Sequence, residues 1–301
     1  MGRLYMAAPI VGFIGFGEAA NLISEGLLQE GIKIIYAYDV NANHPTFGPA
    51  IRERMEKLHI PLASSLEELC EKTEYIFCAT SAKAAEPIAK DIKSYLTPDH
   101  YYIDINAASP MVMEKVADYV AETRAKFVDA AVMDSVPLKK HKVPMYISGS
   151  GALNFQKIGT QFGMNLTFIS EKAGSSSAIK MFRSIFMKGF SALLLETIQS
   201  SRKYGVEEIV MESLNQSVTG KPLGETANML LTRTSIHAER RVAEMNEVID
   251  TLGMLNVDAT MSEAVKRKLQ LLVDSGVREK LNNQAPSHYS QLMDLLDSSE
   301  H

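Results

Sequence analysis

The most constraining stretch of the chain lies near its start: Ile10-Val-Gly-Phe-Ile-Gly15-Phe-Gly17-Glu-Ala-Ala20. An apolar strand runs into a glycine turn and then into a helix pattern. Gly15 permits the sharp turn, Gly17 leaves the backbone bare where a pyrophosphate approaches, and Ala20 is small enough for close helix–strand packing. The N–H groups at the helix start, around Phe16, Glu18 and Ala19, then face the phosphates. The next strand pattern, Ile34-Ile-Tyr-Ala-Tyr-Asp39, ends in an acid 22 residues after Gly17, where a carboxylate reaches a ribose hydroxyl. A glycine turn can also merely join two elements; the strand–turn–helix context and the spaced acid favour a dinucleotide site. A carboxylate at Asp39 accepts from the free 2′-hydroxyl of NAD and repels a 2′-phosphate. No Lys or Arg occurs in Asp39-Val-Asn-Ala-Asn43, which favours NAD, while Arg52 and Arg54 keep NADP possible.

The rest of the first half repeats this alternation. Apolar runs at Tyr75–Thr80, Tyr101–Asn106, Phe127–Met133, Met145–Gly149 and Leu166–Ser170 are interleaved with amphipathic stretches such as Ser65–Glu71, Ala84–Leu96 and Met111–Ala125. Continuous apolar strands alternating with helices predict an α/β, doubly wound, largely parallel Rossmann-type sheet, with a mixed edge where the later links shorten. Thr80 and Ser81 follow a strand end, where cofactor contacts gather in such sheets. No strand pattern follows Ser170. Ser175–Lys203 reads as one helix, stopped by Gly205, and Glu207–Gln216, Gly224–Leu252 and Thr260–Asp274 read as three more, with a frayed polar tail of about 20 residues. The expected organisation is a dinucleotide-binding domain over residues 1–172 and an all-α domain over 173–301 that begins with the long helix.

That helix carries an unusual polar stripe. In Gly174-Ser-Ser-Ser-Ala-Ile-Lys180-Met-Phe-Arg183-Ser184-Ile-Phe-Met-Lys188, the residues Arg183, Ser184 and Lys188 fall within roughly 80° of Lys180 at about 100° per residue. Cations on an apolar helix are costly unless paired, used or extended to solvent. A desolvated Lys has a lowered pKa, which suits proton transfer from a hydroxyl. Spacing alone leaves the structural and chemical readings open.

Taken together, the glycine turn, Asp104-Ile-Asn-Ala-Ala-Ser-Pro110, Asp129-Ala-Ala-Val and Gly174-Ser-Ser-Ser-Ala-Ile-Lys180 resemble the 3-hydroxyacid dehydrogenase superfamily, which includes 3-hydroxyisobutyrate and 6-phosphogluconate dehydrogenases. The segment Ile236-His-Ala-Glu-Arg-Arg241-Val-Ala-Glu-Met245 looks like the branch with a phosphogluconate-dehydrogenase-like second domain of unassigned substrate. The resemblance implies that Lys180 is the catalytic lysine, taking the hydroxyl proton while hydride passes to the nicotinamide. It also implies a homodimer, and Leu193, Leu194, Leu195 and Ile198 offer more apolar surface than one helix face needs.

Several positions depart from the family pattern. After Asp129 the usual Ser-Gly-Gly carboxylate clamp gives way to Met133-Asp134-Ser135, and Ser184 stands in place of the usual Asn. Met187 occupies the place of an acidic proton donor, which argues against decarboxylation, and Asn106-Ala107 replaces Ser-Thr near the nicotinamide. The family's later Lys-Asp falls at Arg240-Arg241, so Arg240, with His237 one turn away, is a candidate for holding an anionic substrate; a solvated pair network through Glu244 is the plainer reading. Asp134, Ser135 and Arg183 complete the substrate candidates. The leading expectation is oxidation of a small 3-hydroxy acid or polyhydroxylated acid. Imine reduction and non-catalytic NAD binding are the alternatives.

Composition excludes other classes. A net charge of −5 argues against nucleic acid as the main partner. No Cys/His cluster has metal spacing, so no metal is expected. Cys70 and Cys78 make no disulfide framework and fit a reducing cytoplasm, with Cys78 expected buried and inert. Charges interrupt the long apolar helix, so no membrane partner is expected. The apolar run Met6–Phe16 reads as a first strand more than a secretory signal, and Met1-Gly2 lacks the Ser or Thr at position 6 of a lipidation motif. The run Lys139-Lys140-His141-Lys142 is expected to be a solvated loop.

Overall fold

The computed structural model describes residues 9–298. The lipidation reading at Met1-Gly2, and the start of the Met6–Phe16 run, lie outside the described residues. By its contacts the chain forms two units, residues 1–185 and 186–301.

The first unit is built from β1 (Val11–Ile14), α1 (Glu18–Gln29), β2 (Ile35–Tyr38), α2 (Gly48–Lys57), α3 (Leu66–Lys72), β3 (Tyr75–Cys78), α4 (Ala85–Ile92), β4 (Tyr101–Asp104), α5 (Pro110–Ala121), β5 (Lys126–Val132), the short α6 (Val136–Lys139) with a 3₁₀ turn at Lys140–Lys142, β6 (Met145–Ser148), α7 (Ala152–Gln161), β7 (Leu166–Ser170) and the start of α8 (Ser175–Tyr204). The seven strands form one sheet in the order β2-β1-β3-β4-β5-β6-β7. All pairings are parallel except β5 with β6, so the mixed edge is present. The strand run that reverses at β1 puts the crevice between β1 and β3, outside their carboxyl ends, where such sheets bind ligands.

Strand alternation sorts the core onto two faces. Phe13, Phe77, Ile103, Val128 and Ile147 pack with Ala20, Ile23 and Leu27 of α1 and Phe155 of α7, and Phe13 stacks on Phe77 at 5.0 Å between centroids. On the other face Ile14, Ile76, Cys78, Tyr102 and Phe127 meet Leu69 of α3, Ala85, Ala89 and Ile92 of α4, and Met113 and Val116 of α5. Each fully buried side chain of this size contributes about 1.5–3 kcal/mol, so the sheet is over-determined at its centre. Cys70 and Cys78 are free thiols, buried as expected for Cys78, and desolvation pushes each up to about 12.

The lysine run is solvated at Lys139 and Lys142 as expected, but it forms short helical turns instead of a loop and buries His141. Lys139 pairs with Asp134 at 2.6 Å, Lys140 with Glu25 at 3.0 Å and Lys142 with Glu30 at 2.6 Å. Between them His141 is buried against α1, its Nε2 3.6 Å from Glu30, too far for a hydrogen bond. Its imidazole fills the space where Gly26 lacks a side chain: a methyl there would overlap Nδ1. Burial holds the imidazolium form below the ordinary range. Glu25 of α1 and Glu30 at its C-terminal end draw the lysines in, and the imidazole between them packs against Gly26. Gly26→Ala should therefore destabilise by about 1–3 kcal/mol through overpacking, where an exposed helix site would gain about 1 kcal/mol. Thermal denaturation checks this, and a rise in Tm would refute the packing.

The second unit is helical: the end of α8, then α9 (Glu207–Val218), α10 (Leu223–Met254), α11 (Thr260–Asp274), α12 (Val277–Lys280) and α13 (Tyr289–Asp297). α10 and α11 form its main helix pair. Glu196 of α8 is buried and serves as an external cap for α11: its carboxylate accepts from Met261 N and Ser262 N at 2.9 Å each and from Ser262 Oγ at 2.6 Å. α10 runs two residues beyond the expected Leu252, through Gly253 to Met254. Within the described residues the expected frayed tail holds a further helix, α13. His288 and Gln291 build a capping box that starts α13, and Leu292 is buried beneath it. Among the described residues no helix is long and apolar enough to cross a membrane, and none of their His, Cys, Asp and Glu groups could hold a metal ion.

Candidate active site

The glycine turn has the shape the sequence calls for. Gly15 has φ 82, and a Cβ there would stand 2.7 Å from the Ala79 carbonyl oxygen of the neighbouring strand end. Gly17 precedes α1, no side chain caps that helix, and nothing lies within 4 Å of where a Cβ would project. The first-turn N–H groups are therefore left for an anion. A cleft of about 540 Å³ opens here, lined by Gly15, Gly17, Tyr38, Asp39, Asn41, Leu66, Thr80, Ser81, Ile88 and Asp91 among others. Apolar Leu66 and Ile88 suit a flat ring, and the bare turn suits a pyrophosphate, so the residues present fit a dinucleotide. A wider groove of about 730 Å³ between α4 and α5 shares Asp91 with this cleft but contains none of the glycine turn.

The cleft's charge is one-sided. Among the described residues lining it, Asp39 and Asp91 are the charged groups and there is no Lys or Arg. Asp39 accepts from Phe16 N and from Asn41 N, both at 2.8 Å, and so ties β2's following loop to the glycine turn. Arg52, from α2, donates to the Ala42 carbonyl and braces that same loop.

A second cluster starts α8. Gly174, at φ 83, passes close to the Pro110 carbonyl, where a Cβ would stand 2.8 Å away. The serines that follow lock onto β5 and β6. Ser177 donates to Asp129 through N at 3.1 Å and Oγ at 2.7 Å, Ser148 Oγ donates to the same carboxylate at 3.3 Å, and Ser176 Oγ donates to the Asp129 carbonyl at 2.7 Å. All four residues are buried. Lys180 lies one turn further on the same helix face. Its ammonium is held below the usual lysine range by burial, partly offset by the Asp129 charge. Arg183 is exposed nearby, and its charge acts on Asp134, whose carboxyl is held low mainly by the hydrogen bond from Lys139.

The structure brings Gly15, Gly17, Asp39, Thr80 and Ser81 together in the cleft. The Phe16 ring is in the core and its N–H is taken by Asp39, while Glu18 and Ala19 form the first turn of α1. Asn106 is a clamp: its Oδ1 accepts from Thr80 N at 2.8 Å and its Nδ2 donates to Cys78 Sγ at 3.2 Å. Ser184 Oγ donates back to the Lys180 carbonyl at 2.9 Å. Asp134 and Ser135 are exposed at the start of α6, with Ser135 N donating to Asp134. His237 and Arg240 belong to the second unit, both exposed, and Arg240 pairs with Glu244. Asp91, Leu66 and Ile88 were not singled out from sequence. Neither were the serine anchors of Asp129, although three serines opening a helix are a visible capping signal.

Two family models match parts of the chain: "NADP oxidoreductase coenzyme F420-dependent" over residues 10–108 and a "domain of unknown function" (DUF1932) over residues 202–272. An uncharacterized 28.5 kDa protein of Methanothermus fervidus is 27% identical over 256 residues, covering 85% of this chain and 96% of that protein. The conserved protein MTH1747, of unknown function, is 31% identical over 88% of this chain and 96% of its own; its structure superposes with a TM-score of 0.60 and is described as similar to 3-hydroxyacid dehydrogenases. This chain belongs to the same 3-hydroxyacid dehydrogenase-like family. An imine reductase from Myxococcus stipitatus, solved with NAD+, shares the fold at a TM-score of 0.74 with 15% identity, over 96% of this chain and 99% of that one. The 3-hydroxyacid dehydrogenase-like fold is thus common to proteins of more than one chemistry, and the side chains of the site have to decide between them.

Proposed function

We propose that this chain is an NAD-dependent oxidoreductase acting on the CH–OH carbon of a small hydroxy acid or polyhydroxylated acid, with Lys180 as general acid/base. A nicotinamide dinucleotide bound at the glycine turn supplies the hydride acceptor. The observation that carries the reading is the setting of Lys180: an amine partly desolvated, with a lowered pKa, on a helix start that Ser176 and Ser177 pin to Asp129 of the sheet. Such an amine accepts a hydroxyl proton more readily than a free one and stays where the helix puts it. Asp134 does not repel an acidic substrate outright, because Lys139 neutralises it and Arg183 adds a second cation beside it. We assign Arg183 and the Ser135 hydroxyl to the substrate carboxylate, and Ser184 to fixing the helix backbone under Lys180. NAD is favoured over NADP because no cation lines the cleft and Arg52 is committed to the Ala42 carbonyl.

The test is a screen of hydroxy acids and sugar acids with NAD and NADP over pH, run beside a panel of cyclic imines with the reduced cofactors. Turnover of a hydroxy acid supports the reading. Turnover of imines alone would replace it with the reductive one.

We also propose a homodimer. Along α8 the large apolar side chains Phe182, Ile185 and Leu195 are 63%, 70% and 70% exposed, with Phe186, Met187 and Leu193 beside them in sequence. A run of this kind on one helix exceeds what a monomer normally leaves in water, and a second copy of the same self-complementary helix covers it. Light scattering should give about twice the monomer mass of 33.2 kDa. A clean monomer at micromolar concentration would refute the proposal.

A further inference from the structure

A row of buried polar side chains crosses the sheet, level with the carboxyl ends of β3 and β4 and with the middle of β5. Cys78 of β3 pairs in register with Asp104 of β4, Asp104 with Asp129 of β5, and Asp129 with Ser148 of β6. All four are 0% exposed. Two acids thus lie side by side, fully buried, on adjacent strands. They are treated unequally. Asp129 receives three hydrogen bonds, from Ser148 and twice from Ser177. Asp104 receives a close one from Asn106 N at 2.8 Å, the Asn106 side chain and the Cys78 thiol act on it more weakly, and its Oδ2 has no hydrogen-bond partner.

Asp104 leads directly to the cleft. The residue it holds, Asn106, accepts from Thr80 N, and Thr80 lines the cleft. The chain from acid to cofactor wall is therefore Asp104, Asn106, Thr80. We propose that Asp104 is a positioning residue for the cofactor cleft, acting through Asn106 on Thr80, and that its neutral, protonated form belongs to the binding-competent state. The inference rests on the dinucleotide reading of the cleft.

The physical basis is that two adjacent buried carboxylates cannot both ionise cheaply. The donors gather on the Asp129 side of the pair, so the arrangement favours the neutral form at Asp104. Burial, with Asp129 adding to it, pushes the Asp104 carboxyl up to about 7. The other titratable groups facing it do not compete there. Cys78 on β3 is pushed up to about 12, and Tyr102 on β4 well above its ordinary range, both by desolvation. The helices covering this face, α4 and α5, offer Ala85, Ala89, Met113 and Val116. Lys180 of α8 faces Asp129. Above neutral pH, then, a negative charge appears beneath a cleft whose own charged groups are Asp39 and Asp91. An anionic dinucleotide binds less well, and the strain of two like charges falls on the loop end that Asn106 clamps.

The test is a fluorescence titration of the whole protein with NADH between about pH 6 and pH 8.5, a range in which neither the pyrophosphate nor the dihydronicotinamide titrates. The expected Kd rises by about three- to ten-fold across that range, the scale of one added charge acting through protein. In Asp104→Asn, and in Asp104→Ser as a second variant lacking the acid, the dependence should flatten while His44, on the loop after β2, is retained. Asn106→Ala should weaken NADH binding at every pH. A wild-type Kd independent of pH, the same slope in both Asp104 variants, or an Asn106→Ala protein that binds like wild type would overturn the inference while leaving the cofactor reading intact. Failure of the wild type to bind NADH or NADPH at any pH would remove both.

Discussion

Lys180→Met should lower kcat by at least about 100-fold, the usual scale for losing a general base, and should leave melting temperature and NAD affinity close to those of the parent. The second half of that expectation follows from Asp129. Its carboxylate takes its hydrogen bonds from Ser148 and Ser177, and Lys180 acts on it only as a charge. Removing the amine leaves a satisfied acid and relieves a desolvated cation, so the two effects on stability oppose each other. Were Lys180 instead the structural counter-ion of Asp129, the same change would strand a buried charge and cost about 3 kcal/mol or more. The pH profile separates the readings again. Because burial lowers the Lys180 pKa, the rising limb of alcohol oxidation should fall below the pH at which a free lysine ionises, and Lys180→Met should lose that limb. Retained turnover together with a large drop in Tm would remove the catalytic role.

Asp104→Asn should stabilise the protein at pH 8 and leave it nearly unchanged at pH 4. In the folded chain the Asp104 carboxyl is raised from 3.8 to about 7 by burial. A group raised in the folded state contributes fully below its unfolded pKa and loses that contribution as pH rises through the folded one. The window is thus about pH 4 to pH 7. Roughly three units correspond to about 4 kcal/mol at the alkaline end. The amide removes the ionisable group, keeps the shape and still accepts from Asn106 N. The gain measured by denaturation should therefore grow from pH 4 to pH 8. A constant difference, or a loss at pH 8, would show that Asp104 is an ordinary ionised acid in the native state.

The order of elements was largely readable from sequence because apolar runs and glycine punctuation report it directly. β1 to β7 fall within or close to the apolar runs, and α11 spans Thr260–Asp274 as expected. The elements that escaped lack that contrast. α2, Gly48–Lys57, is mostly polar and starts without a side-chain cap; α13 lies in a stretch read as a tail, although His288 and Gln291 cap it. The lysine run reads as a loop because its partners, Glu25 and Glu30, are over 100 residues away, on α1 and at its C-terminal end. The same limit hid the buried row. Asp104 and Asp129 each end or interrupt an apolar run, but only the β4–β5 register makes them neighbours. The glycine turn, Asp39 and Thr80 were legible because their roles depend on local shape and on position relative to one strand end.

Dinucleotide binding in the cleft at that turn is the property on which the proposed oxidoreductase depends. Calorimetric titration of the wild-type protein with NADH and NADPH, repeated on Asp39→Ala, tests it most directly. NADH should bind at least about tenfold tighter than NADPH, the worth of roughly 1.4 kcal/mol, and the substitution should narrow the gap by weakening NADH and relieving repulsion of the 2′-phosphate. Tighter binding of NADPH by the wild type would contradict the assignment of Asp39, and binding of neither dinucleotide would contradict the oxidoreductase itself.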